Sequence, residues 1–118
     1  MNTELVHISI GELWDKYSIL LIKKNKIKDI EKLKIINSKI NLLTENMNKF
    51  NYNNDKLFDN LKNINLTLWD IEDKLRIKEL NKEFDTDFIT LARNVYITND
   101  KRAECKKEIN IKYNSSIL

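Results

Sequence analysis

The stretch KLFDNLKNINLTLWDIEDKL, residues 56–75, carries the clearest helical pattern of the chain. Its apolar residues recur at alternating intervals of four and three, and they are Leu57, Leu61, Ile64, Leu68, Ile71 and Leu75. This heptad spacing is typical of a helix that packs along another helix. Because the stretch contains neither Gly nor Pro, nothing in it would end a helix. It therefore predicts one long helix within an antiparallel hairpin.

The rest of the chain carries the same helical signal. The 118 residues include 1 Gly and 0 Pro, so there are few places at which a helix would stop. Ser9 and Glu12 have the S-x-x-E spacing of a capping box, which predicts that the first helix begins at about Ile10. Apolar residues then recur with helical spacing as far as Met47. These patterns predict an all-α protein.

Polar clusters mark the predicted helix ends, because Asn and Asp cap helices and tolerate turn conformations. We place turns at residues 51–55 and 84–87, and a further cap at residues 98–100. A third helix would then begin near Phe88, and a last helix would carry Cys105 and Ile109. The residues before Ser9 are predicted to be extended, and a bend of the first helix near Asn25 stays open.

These elements predict one domain over residues 1–118, a long antiparallel helical hairpin with a coiled-coil-like arm and two further C-terminal helices in a small bundle head. With a turn near Tyr52, Ile36 would lie beside Leu68. Residues 25–80 would form the arm, and residues 1–24 with 81–118 the head. Some large apolar residues of the arm lie outside its heptad seam: Phe58, Leu66, Trp69, Ile77 and Leu80. Either the C-terminal helices or a second subunit must cover them, and we favour a homodimer.

The composition excludes most familiar catalytic sites. One glycine, Gly11, cannot make a phosphate-binding loop, and one cysteine with one histidine is too few for a zinc site. We therefore expect no catalytic residues, metal site or cofactor, and we favour a protein that is not an enzyme. Cys105 is predicted to be buried and His7 to be a surface or interface side chain.

Two carboxylate pairs raise the question of a magnesium site. Glu12 with Asp15, and Asp70 with Asp73, are each spaced by three residues on a helix face. In the predicted hairpin Asp70 would lie near Lys34, about 28 Å along the first helix from Asp15. The pairs are therefore expected to be solvated or ion-paired.

The predicted head brings several charged and polar residues together. They are Glu12, Asp15, Lys16, Arg93, Tyr96, Asn99, Asp100 and Arg102. They could form an anion pocket in which Arg93 and Arg102 grip a phosphate or carboxylate. They could equally form an ion-paired junction that holds helices in register, which we favour.

A lysine-rich run lies on the first predicted helix, over residues 23–34. Its basic residues are Lys23, Lys24, Lys26, Lys28, Lys32 and Lys34, and acidic residues stand between them. Such a run could contact a polyanion. It contains no aromatic residue or arginine, so a solvated helix face is favoured over nucleic-acid binding.

The sequence also bears on compartment. No apolar run approaches the roughly 18 residues that would span a bilayer, and the N-terminal residues have no basic signal region. A single cysteine suits a reducing compartment. We predict a cytoplasmic protein without a membrane span.

Four ordered segments resemble a known family. They are GELWDKYSILLIKKNKI (residues 11–27), LWDIEDKLRIKE (68–79), FDTDFITLARNVY (84–96) and NDKRAECKKEIN (99–110). The chain resembles, over about residues 8–113, a domain of unknown function found in short helical proteins of bacteria and of phages of marine bacteria. Members are often encoded near surface-polysaccharide genes, so the resemblance implies a glycan-biosynthesis protein as partner and assigns no reaction.

Three hypotheses follow. The favoured one is a non-enzymatic interaction or adaptor module. The second is a small ligand-binding protein or magnesium-dependent enzyme that acts on a phosphorylated anion through the predicted head cluster. The third is a weak polyanion binder that uses the lysine-rich run.

Overall fold

The computed structural model describes residues 2–117, and its architecture in that range is all-helical. The helices are α1 (Ile10–Lys26), α2 (Ile30–Met47), α3 (Lys56–Leu80) and α4 (Thr86–Lys112). A short 3-10 turn, Tyr52–Asn54, precedes α3. Residues 2–8 form neither helix nor strand, and no strand occurs elsewhere in the described range. The all-α prediction is confirmed.

Each helix begins with a side-chain cap, and the caps of α1, α3 and α4 lie where the sequence predicted them. The Ser9 hydroxyl accepts from the Glu12 N–H at 3.1 Å, and the Asp55 and Asp85 carboxylates cap α3 and α4 at 2.9 Å. Each cap stabilises its helix by about 1 kcal/mol. The return half of the predicted capping box is not formed. The Glu12 carboxylate instead lies 2.6 Å from Lys106 Nζ, because α4 brings a cation to that position.

The chain breaks between α1 and α2, close to the position where a bend was left open. Ile27 is extended, and the Asp29 side chain accepts from the backbone N–H groups of Glu31 and Lys32. This cap starts a new helix and lets the chain reverse, so α2 packs on α1. The predicted pairing of Ile36 with Leu68 is therefore wrong, since α3 packs mainly against α1 and α4.

The long antiparallel hairpin is formed by α3 and α4, which make the largest interhelical contact. The chain reverses at residues 81–85, where Lys82 has a φ of 52° and Glu83 N–H donates to Lys78 C=O at 2.9 Å. The predicted cap at residues 98–100 is wrong, because α4 continues through it. Thr98 is buried, and the Asn99 amide oxygen accepts a hydrogen bond from Arg102 of the same helix, so neither residue begins a new helix.

The core lies where α1 packs against the other three helices. Trp14 is completely buried, and its ring lies 5.7 Å from that of Phe58 and 4.9 Å from that of Tyr113. The indole Nε1 has no hydrogen-bond partner among the described residues. Cys105 belongs to this core, as predicted, and burial raises the pKa of its thiol to about 11. The thiol therefore stays protonated and unreactive.

Candidate functional site

Asp15 is the centre of the most polar part of the core. It lies on the buried face of α1, and 1% of the residue is exposed. Arg102 of α4 binds it through two parallel bonds: Nε donates to Oδ1 at 2.9 Å and Nη2 donates to Oδ2 at 2.5 Å. This bidentate geometry is the strongest form of the arginine–carboxylate interaction.

Side chains of α3 and α4 make further contacts around Asp15. We name the whole group the Asp15 cluster, and it consists of Glu12, Asp15, Ser18, Asn65, Arg102 and Lys106. The Asn65 amide of α3 donates at 2.9 Å to Asp15 Oδ1 and also to Ser18 Oγ. Lys106 Nζ lies 2.6 Å from Glu12 Oε2 and 3.8 Å from Asp15 Oδ2. The cluster therefore joins α1, α3 and α4 through one carboxylate.

The partners keep Asp15 ionised despite its burial. Burial by itself raises the pKa of this carboxyl. The hydrogen bonds from Arg102 and Asn65, with the charges of Arg102 and Lys106, outweigh burial and lower the pKa below its usual 3.8. The hydrogen bond to Asp15 in turn raises the pKa of Arg102. Near neutral pH the pair is thus a charged, mutually neutralised unit.

A second buried carboxylate lies at the start of α3. Asp55 caps that helix, and its other oxygen accepts from Lys112 Nζ at 2.7 Å and from the Tyr113 hydroxyl. Burial raises the pKa of Asp55, but these hydrogen bonds, that of Lys112 foremost, lower it below 3.8 overall. Burial and the bond to Asp55 raise the pKa of Tyr113 to about 12. The chain before α3 is thereby fastened to the end of α4.

Acid should destabilise the protein through these two carboxylates. Their pKa is lower in the folded chain than the usual 3.8, so their stabilisation is fully present above about pH 5 and lost as the pH falls through the folded-state values. We expect the urea midpoint to be lower at pH 3 than at pH 7. The variant Asp55→Asn, which keeps the cap, should show a smaller decrease. A midpoint that is constant between pH 7 and pH 3 would contradict this.

The structure brings five of the eight residues of the predicted head cluster together. Asp15 and Arg102 form its centre, the Glu12 carboxylate pairs with Lys16 at 3.7 Å, and Asn99 accepts from Arg102 at 3.4 Å. The three others lie elsewhere on α4 and are exposed: Arg93, Tyr96 and Asp100. Arg93 precedes Arg102 by nine residues, about 13 Å along the helix, and forms no ion pair within residues 2–117.

Sequence reasoning missed three members of the Asp15 cluster: Ser18, Asn65 and Lys106. Lys106 follows Arg102 by four residues and so lies on the same face of the helix, and this spacing could have been used to predict that Lys106 belongs to the cluster. Asn65 and Ser18 gave none, because their contribution depends on how α3 and α1 pair. In the completed cluster each charged group faces an opposite charge, an arrangement that favours a junction between helices over an open anion clamp.

The lysine-rich run surrounds the break between α1 and α2. Its residues are exposed apart from the half-buried Lys23, and Lys34 pairs with Glu31 at 3.6 Å. Of the other predicted carboxylate pair, Asp73 lies 3.5 Å from Arg76 and Asp70 is exposed. No group of three or more His, Cys, Asp or Glu side chains is placed to hold a metal ion in the part of the chain that the structure describes.

Among residues 2–117, none of the helices combines the length and the hydrophobicity that crossing a bilayer requires. Comparison with known protein families, with characterised proteins and with solved structures finds no match to this chain.

Proposed function

We propose that this chain is a non-enzymatic helical interaction module that acts as a homodimer. The observation that carries the proposal is the apolar surface at the end of the α3–α4 hairpin. We name this end, residues 73–97, the hairpin tip. The cleft between the last turns of α1 and the hairpin is lined by α3 residues as far as Arg76, so most of the hairpin tip lies beyond α1.

The hairpin tip exposes large apolar side chains. Leu80 is 82% exposed, and the others that are wholly or partly exposed are Ile77, Phe84, Ile89, Tyr96 and Ile97. Six large apolar side chains at one end of the hairpin are thus exposed to water. A concentration of exposed apolar side chains is typical of a protein–protein interaction site.

A second copy of this chain is the occupant that we propose. Of the five apolar residues outside the predicted seam, Phe58 is buried in the core, whereas Ile77 and Leu80 stay exposed. The hairpin tip carries five acidic and five basic residues, so two tips meet without net repulsion. The rest of the chain holds the whole net charge of +3, and the lysine-rich run would repel its own copy.

Sedimentation equilibrium of purified variants tests the proposal. The wild-type chain should have twice the 14.1 kDa of one chain. In the double variant Leu80→Glu/Ile89→Glu, buried charge at the interface should shift the mass to that of a monomer. The matched control is Ile35→Glu/Leu42→Glu, which adds the same two charges at exposed positions of α2 and should stay dimeric. A monomeric wild type, or equal masses in both variants, would contradict the proposal.

The setting of this module is also a proposal. The four segments that resemble the helical family of unknown function support a role as an adaptor for glycan-assembly enzymes. A dimeric adaptor would present two copies of each binding surface to such a partner. The single cysteine supports a reducing compartment, the cytoplasm.

A further inference from the structure

A small cleft lies beside the Asp15 cluster, where the end of α1 meets α3 and α4. Its volume is about 290 Å³, and it is lined by cations from all three helices, Lys23, Arg76 and Arg102. Among the described residues, Glu72 is the only acidic one in the lining, and Trp69 forms part of one wall. The volume is close to the roughly 300 Å³ at which ligand pockets of small molecules begin.

The cationic side chains of this cleft have N–H donors that are available to a ligand. A guanidinium carries five N–H donors. Arg102 uses two of them on Asp15 and one on Asn99, and its side chain is 28% exposed. Lys23 forms no ion pair within residues 2–117, and Arg76 has only a surface contact with Asp73 at 3.5 Å. Such an exposed contact is weak and would yield to a better anion.

The remaining lining suits an aromatic ring next to the anion. Trp69 is half-buried, and the apolar side chains of Ile19, Ile22 and Leu68 lie in the same cleft. An indole beside aliphatic residues offers a stacking surface for a flat ring. Glu72 can accept a hydrogen bond from a hydroxyl or amino group of the same ligand.

We propose that this cleft binds a small phosphate monoester that carries a planar ring, of the kind represented by a nucleoside monophosphate. Lys23 and Arg76 contact the phosphate, Arg102 forms the floor with its spare N–H groups, and Trp69 stacks on the ring. The anion site therefore differs from the one that the sequence predicted, because Arg76 of α3 takes the place of Arg93. Arg76 also lies in the hairpin tip, so the double variant Leu80→Glu/Ile89→Glu, which leaves every residue of the cleft in place, separates this proposal from dimer formation and should bind like the wild type.

Tryptophan fluorescence with adenosine monophosphate as the probe tests this cleft. Trp14 is completely buried, so a change on titration reports on Trp69, and Trp69→Phe should remove it. We expect saturable quenching, with much weaker effects of adenosine alone and of inorganic phosphate alone. Arg76→Ala and Lys23→Ala should each weaken binding about tenfold. The control Arg93→Ala removes an exposed arginine of α4 outside the cleft and should bind like the wild type.

Two results would overturn the proposal: no saturable quenching at millimolar adenosine monophosphate, or equal weakening by Arg76→Ala and Arg93→Ala. The melting temperature of each variant shows that it is folded. The mass in solution is recorded in the same buffer, so a failure of dimer formation is read separately from a failure of binding.

Discussion

Replacing Arg102 by methionine is expected to lower the free energy of unfolding by about 3 kcal/mol. The substitution keeps most of the apolar stem and removes the two bonds to Asp15, a carboxylate that is 1% exposed. Asn65 and Lys106 stay near it, but neither replaces the bidentate contact. Loss of one partner leaves a buried charge without its counter-ion, which costs far more than the net value of the pair. Urea unfolding at pH 7 measures the difference.

Two further variants show whether the loss of stability comes from leaving Asp15 without its partner. Lys107→Met changes an exposed cation of the same helix outside the hairpin tip and should alter the free energy of unfolding by less than about 0.5 kcal/mol. The double variant Asp15→Leu/Arg102→Met removes both charges and should recover part of the loss. If Arg102→Met were as stable as Lys107→Met, the Asp15 cluster would not be a structural junction.

Replacing Gly11 by alanine is expected to destabilise the protein by about 2 kcal/mol, although alanine is the better helix former by about 1 kcal/mol. A Cβ at this position would lie 2.5 Å from the Lys106 carbonyl oxygen and 2.9 Å from Asn110 Oδ1. The first of these atoms is backbone, so α1 and α4 would have to separate. The separation would also strain the bond from Gly11 N–H to Asn110 Oδ1 at 2.6 Å.

Thermal unfolding compares Gly11→Ala with Ser38→Ala, which introduces the same side chain at an exposed position of α2. Ser38→Ala should leave the melting temperature equal or slightly higher, as helix propensity requires. Gly11→Ala should lower it by several degrees. A rise in both variants would show that α1 and α4 do not approach as closely as described.

Local features of this fold could be predicted because they depend on neighbours in sequence. Ser9, Asp55 and Asp85 cap helices through N–H groups two or three residues ahead, so their patterns were informative. The absence of Pro and the heptad spacing of α3 likewise predict helix from the local sequence alone. The helical class followed from these signals.

The pairing of helices could not be predicted in the same way. A heptad seam shows that α3 packs along another helix but does not show which one. In the structure this partner is α4, whereas the sequence pattern indicated the first predicted helix, which includes α2. Asn99 resembled a cap residue but accepts a hydrogen bond from a side chain within α4. Asp15 and Arg102 were both recognised as candidates. Which arginine would reach Asp15 depended on the register of α4, which the sequence does not show.

Hydrogen–deuterium exchange of the wild-type chain at two protein concentrations, one where it is dimeric and one where it is diluted towards monomer, tests whether the hairpin tip is the surface through which two copies associate. We predict slower exchange at the higher concentration in residues 73–97, with no change in α1 or α2, because association suppresses local opening of the helices it covers. Protection confined to α2 or the lysine-rich run, or none at any position, would contradict it.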